Sequence, residues 1–180
     1  MLHFELIVER DRLVSALRER GVDYLAPEDA AGEPVSDEVL IASLAASEDP
    51  RLRAALTGLF LLRSESASSL PAAMAWLGAD TRDELTARYM AAVYLQRLWW
   101  TTLGLYLGEM AELPDLYSGL INLPPATEEH GKPGLYALAE WHMARAPGAY
   151  NRLAEYQIVM GHLFALLQRQ APAHESTTPG

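Results

Sequence analysis

The chain contains no cysteine and a single lysine among its 180 residues. Without cysteine it cannot form a disulfide framework, a zinc–thiolate site or a thiol nucleophile. Its start shows no signal-peptide pattern, so we expect a cytoplasmic protein of bacterial type. A P-loop, a G-x-G-x-x-G fingerprint, an HExxH pair and a G-x-S-x-G elbow are also missing from the sequence. The sequence therefore predicts no catalytic residue, no metal site and no cofactor.

Basic residues are scarce relative to acidic ones. The chain has 24 Asp and Glu against 14 Lys and Arg, which gives a formal net charge of −10. A surface of this charge repels a phosphate backbone, so we do not expect a nucleic-acid partner. Acidic side chains also keep a protein soluble, so the charge alone identifies no partner.

Alternation of apolar and polar residues, the pattern of a half-buried strand, is missing over any useful length. Apolar residues recur at helical spacing instead, in segments separated by Pro and Gly. The sequence predicts one all-α domain over residues 1–170, a bundle of about seven helices, followed by a polar tail at 171–180. Within it, residues 36–63 predict a helix pair that resembles a single HEAT repeat.

The most apolar segment predicts a helix from Arg82 to Glu109, opened by a capping box at Thr81–Glu84. Residues 89–100 have no polar face, so other helices must surround this helix. Gln96 and Arg97 lie at the centre of the apolar stretch. An arginine there would cost about 2.5–3.5 kcal/mol in a bilayer, which argues against a membrane span. We expect this helix at the centre of the bundle.

Arg97 is the most informative polar residue of that helix. A buried guanidinium needs a carboxylate or carbonyl partner, and Asp115 and Glu140 are the candidates. Such an ion pair would fix helix packing, whereas the alternative is an anion site in an aromatic pocket. The candidate ligand-binding residues of that pocket are Arg97, Tyr94, Trp99 and Trp100. Clustered aromatic residues are, however, more often part of a core.

The remaining polar residues show no such chemistry. The five histidines are scattered along the chain, and His142, close to Glu140, is interpreted as a solvated or capping side chain. A group of arginines is interpreted as a solvated or salt-bridged helix face. These are Arg51, Arg53, Arg63, Arg82 and Arg88.

Leu113–Pro133 is a long segment without a helical pattern. Such loops in a compact domain are usually functional or disordered, and this one is too rich in Leu and Ile for a disordered linker. We expect it to pack across the ends of the central and last two helices, with Leu116 and Leu120 buried and Asp115 capping a short turn. The candidate contact with a partner is its acidic end, Glu128, Glu129 and His130.

Four sequence blocks, taken together, resemble a known group of proteins. They are Asp49–Leu56, Tyr89–Gln96, Leu113–Ser118 and Gly134–Glu140. Together they resemble an uncharacterised group of small helical bacterial proteins over residues 36–160. Members of that group are often encoded beside a minimal nucleotidyltransferase. The resemblance implies a protein partner, with a nucleotidyltransferase as the candidate, in a toxin–antitoxin-like pair. It implies no catalytic residue.

The sequence therefore favours a non-enzymatic helical protein that binds a protein partner. The alternatives are a small-molecule binder with the pocket described above and an enzyme of unknown type. A cavity that holds Arg97 with no carboxylate nearby would favour the small-molecule binder. A core closed over the aromatic rings would exclude it.

Overall fold

The chain folds into α-helices in the computed structural model, which describes residues 8–23, 25, 33–146 and 151–171. The helices are α1 (Arg10–Glu19), α2 (Asp37–Ala46), α3 (Pro50–Leu62), α4 (Leu70–Ala75), α5 (Ala79–Leu98), α6 (Trp100–Leu107), α7 (Lys132–Arg145) and α8 (Arg152–Gln170). Two 3₁₀ segments, Ser64–Ser69 and Glu128–Gly131, lie between them. These ranges contain no strand, so the prediction of an all-α fold is confirmed. Almost all of the predicted tail lies outside the described residues.

Side-chain caps start two of the helices. The Asp49 carboxylate accepts a hydrogen bond of 2.9 Å from the Arg51 amide, and Pro50 occupies the first position of α3, where its missing N–H costs nothing. Asn151 accepts a hydrogen bond of 3.1 Å from the Ala154 amide at the start of α8. Both boundaries follow from the sequence.

Helix α5 packs against α2, α3 and α7. Every residue from Leu85 to Gln96 is buried. The Thr57 hydroxyl of α3 donates a hydrogen bond of 3.0 Å to the Arg88 carbonyl, and the rings of Phe60 and Tyr89 meet edge to face at 5.1 Å between centroids. These contacts place a polar bond and an aromatic pair inside the same helix interface.

The predicted single helix from Arg82 to Glu109 is wrong in its extent, because α5 ends at Leu98 and α6 begins at Trp100. The predicted capping box at Thr81–Glu84 is also wrong, since α5 begins at Ala79 after Gly78 with no side-chain cap. Trp99 leaves the helical conformation, with φ −109° and ψ 18°. The change of direction sets the Trp99 ring edge-on to Phe164 of α8, at 5.4 Å between centroids. The end of α5 thus coincides with a contact to another helix, which the local sequence does not show.

The segment between α6 and α7 is held to α5 through its backbone. Tyr89 donates a hydrogen bond of 2.7 Å to the Pro114 carbonyl, and Tyr94 donates one of 2.8 Å to the Pro124 carbonyl. The Asp115 carboxylate accepts bonds of 3.1 Å from the Ser118 amide and 2.7 Å from its hydroxyl. The Asp115 cap is confirmed, and of the predicted packing across the ends of the central and last two helices, the contact with the central helix is confirmed.

The predicted burial of Leu116 and Leu120 is wrong, since these residues are 42% and 77% exposed. Leu113 and Ala126 are the buried apolar residues of the segment. Because buried tyrosine hydroxyls already hold the backbone, the turn that carries Leu116 and Leu120 faces solvent. Among the described residues, no helix is both long and apolar enough to cross a membrane.

Candidate functional site

A pocket of about 580 Å³ opens where the end of α5 meets α6 and the 3₁₀ segment before α7. Its walls include Arg97, Trp100, Thr101, Glu112, Thr127 and His130. Three separate parts of the chain, 97–101, 112 and 126–130, thus converge on it.

Arg97 forms its ion pair with Glu112, not with Asp115 or Glu140 as predicted, and its guanidinium also donates a 3.3 Å bond to the Leu113 carbonyl. The neighbouring Gln96 explains the choice of partner. Its amide donates a bond of 2.9 Å to the Ala111 carbonyl and accepts one of 2.7 Å from the Leu113 amide. Gln96 thereby holds the backbone on both sides of Glu112 by hydrogen bonds and places that carboxylate next to Arg97.

The predicted ligand set does not come together in one place. Arg97 and Trp100 share the pocket, but Tyr94 is fully buried and its hydroxyl donates to the Pro124 carbonyl at 2.8 Å. Trp99 packs on Phe164 of α8. Two of the four predicted residues therefore lie at the pocket, and two belong to other contacts.

The predicted partner contact is exposed at all three positions, Glu128, Glu129 and His130, and His130 lines the pocket. The backbone of Glu129 and His130 is left-handed, with φ of 42° and 56°, and Gly131 follows at 80°. Such conformations cost of order 1–3 kcal/mol for each residue with a side chain. A Cβ atom on Gly131 would lie 3.0 Å from the Tyr94 carbonyl oxygen, so the strained turn packs directly against the backbone of α5.

An apolar surface lies beside the pocket. Only Leu103 among the residues of α6 is buried. The large exposed apolar side chains on and before this helix, called the α6 face below, are Leu98, Trp99, Trp100, Leu105 and Tyr106. Leu105 is 80% exposed. It follows Thr101 by one helical turn, so the two side chains are neighbours on the helix, and Thr101 lines the pocket. The pocket and the α6 face are therefore continuous.

Sequence reasoning missed the α6 face because it placed these residues in one continuous, surrounded helix. The lack of charged residues in Trp100–Leu107 fits burial and an interaction surface equally well. The contacts of α6 with other helices decide between the two, and the local pattern does not contain them.

A second polar constellation joins α5, α7 and α8 inside the bundle. His142 of α7 donates from Nε2 to the Glu84 carboxylate at 2.6 Å, because an ionised carboxylate can only accept. In neutral imidazole the Nδ1 atom then accepts, so the Tyr156 hydroxyl donates to it, at 2.7 Å. His142 is thus held from both sides, and its interpretation as a solvated side chain is wrong because it is buried.

Arg88 extends this network and is completely buried. Its guanidinium donates bonds of 2.7 Å to Glu84 and 2.8 Å to Glu155, and Glu155 also accepts a bond of 2.7 Å from Arg152. The interpretation of Arg88 as a salt-bridged residue is therefore confirmed, whereas its expected position on a solvated face is wrong because it is buried. The spacing of Glu84 and Arg88, one helical turn apart, was the available signal for an ion pair.

Burial and pairing shift the pKa values in this network. Burial opposes ionisation of Glu84, but the hydrogen bond from His142 and the charge of Arg88 outweigh it and lower the pKa of Glu84 to about 2. Burial lowers the pKa of His142 despite its bond to Glu84. Burial also raises the pKa of Tyr156. The histidine is therefore neutral and the glutamate ionised near neutral pH.

The network is closed to substrates, because His142 and Tyr156 are both buried. A carboxylate, an imidazole and a phenol in series can relay protons, but only where a reacting molecule reaches one of them. Here the same bonds connect three helices. We therefore interpret the network as structural and the pocket with the α6 face as the candidate functional site.

Within the described part of the chain, no cluster of three or more His, Asp and Glu is arranged to hold a metal ion. Comparisons of the chain with protein-family models, with curated proteins and with solved structures give no match.

Proposed function

We propose that this chain is a non-enzymatic binding protein that docks a protein partner on the α6 face. The observation that carries the proposal is the exposure of Leu98, Trp99, Trp100, Leu105 and Tyr106 around one short helix. Large exposed apolar patches mark interaction surfaces in soluble proteins. Aromatic side chains are also enriched at the centres of interfaces, where they contribute much of the binding energy.

The Arg97–Glu112 ion pair argues against the alternative of a small anion in the pocket. An incoming anion would have to displace Glu112, which already neutralises the guanidinium. Tyr94, buried in the core, offers such a ligand no stacking surface. The pocket serves better as a recess beside the α6 face that receives a side chain of the docked partner.

The resemblance described above supplies a candidate partner. If this chain shares the gene arrangement of the group that it resembles, the partner is a minimal nucleotidyltransferase, and the two proteins form a toxin–antitoxin-like pair. In that arrangement this chain holds its partner and performs no chemistry itself.

The proposal is tested by co-expressing the chain with the neighbouring nucleotidyltransferase and measuring the complex by size-exclusion chromatography with light scattering. We expect a stable complex whose affinity falls at least about thirtyfold on the double substitution Leu105→Ser with Trp100→Ser, since interface tryptophans typically contribute about 2 kcal/mol or more. Circular dichroism of the variant should remain that of the parent protein.

A matched control replaces apolar residues that are similarly exposed elsewhere, Tyr136 of α7 and Ile158 of α8. Tyr136→Ser with Ile158→Ser should leave the affinity unchanged. Equal weakening by both double variants would show that the α6 face is not the docking surface. No complex at micromolar concentration would exclude the nucleotidyltransferase as the partner.

A further inference from the structure

The charged residues in the part of the chain that contains the α6 face are mostly acidic. Residues 97–132 carry five acidic side chains against Arg97 and Lys132, which gives −5 + 2 = −3. The acidic residues are Glu109, Glu112, Asp115, Glu128 and Glu129. Since one carboxylate, Glu112, neutralises Arg97, the surroundings of the face keep an excess of negative charge.

Three of these carboxylates lie next to the face or the pocket. Glu112 is in the pocket wall with Trp100, and its side chain is 58% exposed. Glu109 is exposed and follows the last residue of α6 by two positions. Glu128 is exposed and adjoins Thr127, which also lines the pocket. The C-terminal end of α6 adds partial negative charge from its carbonyl groups at the same place.

We propose that the segment docked on the α6 face is a basic amphipathic helix of the partner protein, with leucine-like residues on one side and Arg or Lys flanking them. This inference rests on the proposed function and states the chemistry of the partner. The apolar side of such a helix would cover Leu105 and Trp100, and its cations would meet the unpaired carboxylates of Glu109 and Glu128.

A helix suits this surface better than an extended strand. The residues described by the structure contain no strand whose edge could accept one. Amphipathic helices bind apolar grooves through side chains spaced by one turn, which requires no free backbone groups on the receiving side.

Charge also argues against other occupants. A second copy of this chain would bring a net charge of −10 against an acidic rim and be repelled. An anionic membrane surface would be repelled for the same reason. A basic segment is attracted by the rim and by the molecule as a whole.

The test uses two synthetic amphipathic helical peptides with the same leucine face, one carrying arginine and the other glutamate on its polar face. Binding to the full chain is followed by isothermal titration calorimetry at physiological salt. We expect the arginine peptide to bind and the glutamate peptide to bind at least about a hundredfold more weakly.

Two charge-reversal variants with equal net charge separate local from global attraction. The double substitution Glu109→Lys with Glu128→Lys should lower the affinity for the arginine peptide by about tenfold or more. Glu48→Lys with Glu140→Lys, at exposed positions on other surfaces, should have little effect. Both variants carry −10 + 4 = −6, so a difference between them reports position alone.

Failure of this inference is distinguishable from failure of the proposed function. Equal binding of the two peptides, or equal effects of the two charge variants, overturns the basic partner. If Leu105→Ser with Trp100→Ser still weakens the binding of both peptides, apolar docking on the α6 face stands. If no α6 variant weakens peptide binding, both the basic partner and docking on the α6 face are overturned. If neither peptide binds the parent protein, the basic helix is overturned.

Discussion

At the scale of single residues, Gly134 sets how closely α7 approaches α5. A Cβ atom at this position would lie 2.1 Å from Cε1 of the Tyr94 ring, a distance at which the ring or a helix must move. Tyr94 cannot easily move, because its ring is buried and its hydroxyl is bonded to the Pro124 carbonyl. The absence of a side chain at residue 134 thus lets α7 pack closely against the Tyr94 ring of α5.

We expect Gly134→Ala to destabilise the protein by about 1–3 kcal/mol, because it overpacks a filled interface. Gly161 of α8 is the matched control, since a Cβ there would meet nothing within 4 Å. Gly161→Ala should instead stabilise by about 0.5–1 kcal/mol, because alanine is the better helix former. Urea unfolding measures both variants, and equal effects would contradict this account of Gly134.

The Glu84–His142 pair predicts loss of stability in acid. The pKa of Glu84 falls from 4.5 to about 2 on folding, so its contribution is complete above pH 4.5 and is lost as the pH falls towards 2. The pKa of His142 is lowered from 6.5, so the unfolded chain takes up that proton first, and stability already begins to fall below about pH 6.5.

The glutamate shift corresponds to about 3 kcal/mol. Urea unfolding between pH 7 and pH 3 should therefore show a declining unfolding free energy, with a smaller decline for Glu84→Gln. A parent protein whose stability stays flat over this range would contradict the assigned pairing.

The network around Arg88 shows why single residues were hard to assign from the sequence. Glu84 and Arg88 are one turn apart, and this local pair was predictable. His142 is 58 positions from Glu84, and Glu155 is 67 positions from Arg88, and no local pattern encodes such distances. A polar residue on a helix is solvated or buried according to which helix it faces, and only the tertiary fold determines that.

At the scale of the elements, the segment between α6 and α7 combines a buried anchor with an exposed turn. Leu113 is fully buried and its amide is bonded to Gln96, whereas Leu120 is exposed. Composition correctly predicted that the segment packs, because its Leu and Ile content exceeds that of a linker. Which of its leucines are buried depended on the tyrosine and glutamine bonds to its backbone, which composition does not reveal.

Replacing these two leucines separates the anchor from the turn. Leu113→Ala should lower the unfolding free energy by about 2–5 kcal/mol, as expected for a buried leucine truncated in a packed core. Leu120→Ala should change the unfolding free energy by less than about 0.5 kcal/mol. Thermal and urea unfolding report both values, and a large effect at Leu120 would mean that the turn packs after all.

Helix boundaries were predictable at two observed side-chain caps, but the capping box expected at Thr81–Glu84 did not mark the start of α5, which begins at Ala79. Asp49-Pro50 and Asn151 set the starts of α3 and α8 through their own side chains and backbone. The break at Trp99 has no such local cause, since apolar residues continue on both sides of it. The α6 face, which supports the proposed function, was therefore the part of the candidate site hidden from the sequence.

At the scale of the whole molecule, the buried network connects parts of the chain that are far apart in sequence. Its bonds join α5 to α7 and α8. Helix α5 also contacts α3, and its residues 85–96 are buried throughout. The exposed α6 lies outside this arrangement, and substitutions on its face should leave the bundle intact.

The same network has a consequence for the order of events in folding. Closing loops of 58 and 67 positions loses chain entropy before any bond is gained, so we expect these hydrogen-bonded contacts to form after the folding transition state. Glu84→Gln should then mainly accelerate unfolding, with a φ-value near zero. Asp49→Ala, which removes a local cap of α3, should slow folding in proportion to its stability loss. Stopped-flow chevron plots measure both rates, and slower folding of Glu84→Gln would place the network in the folding nucleus.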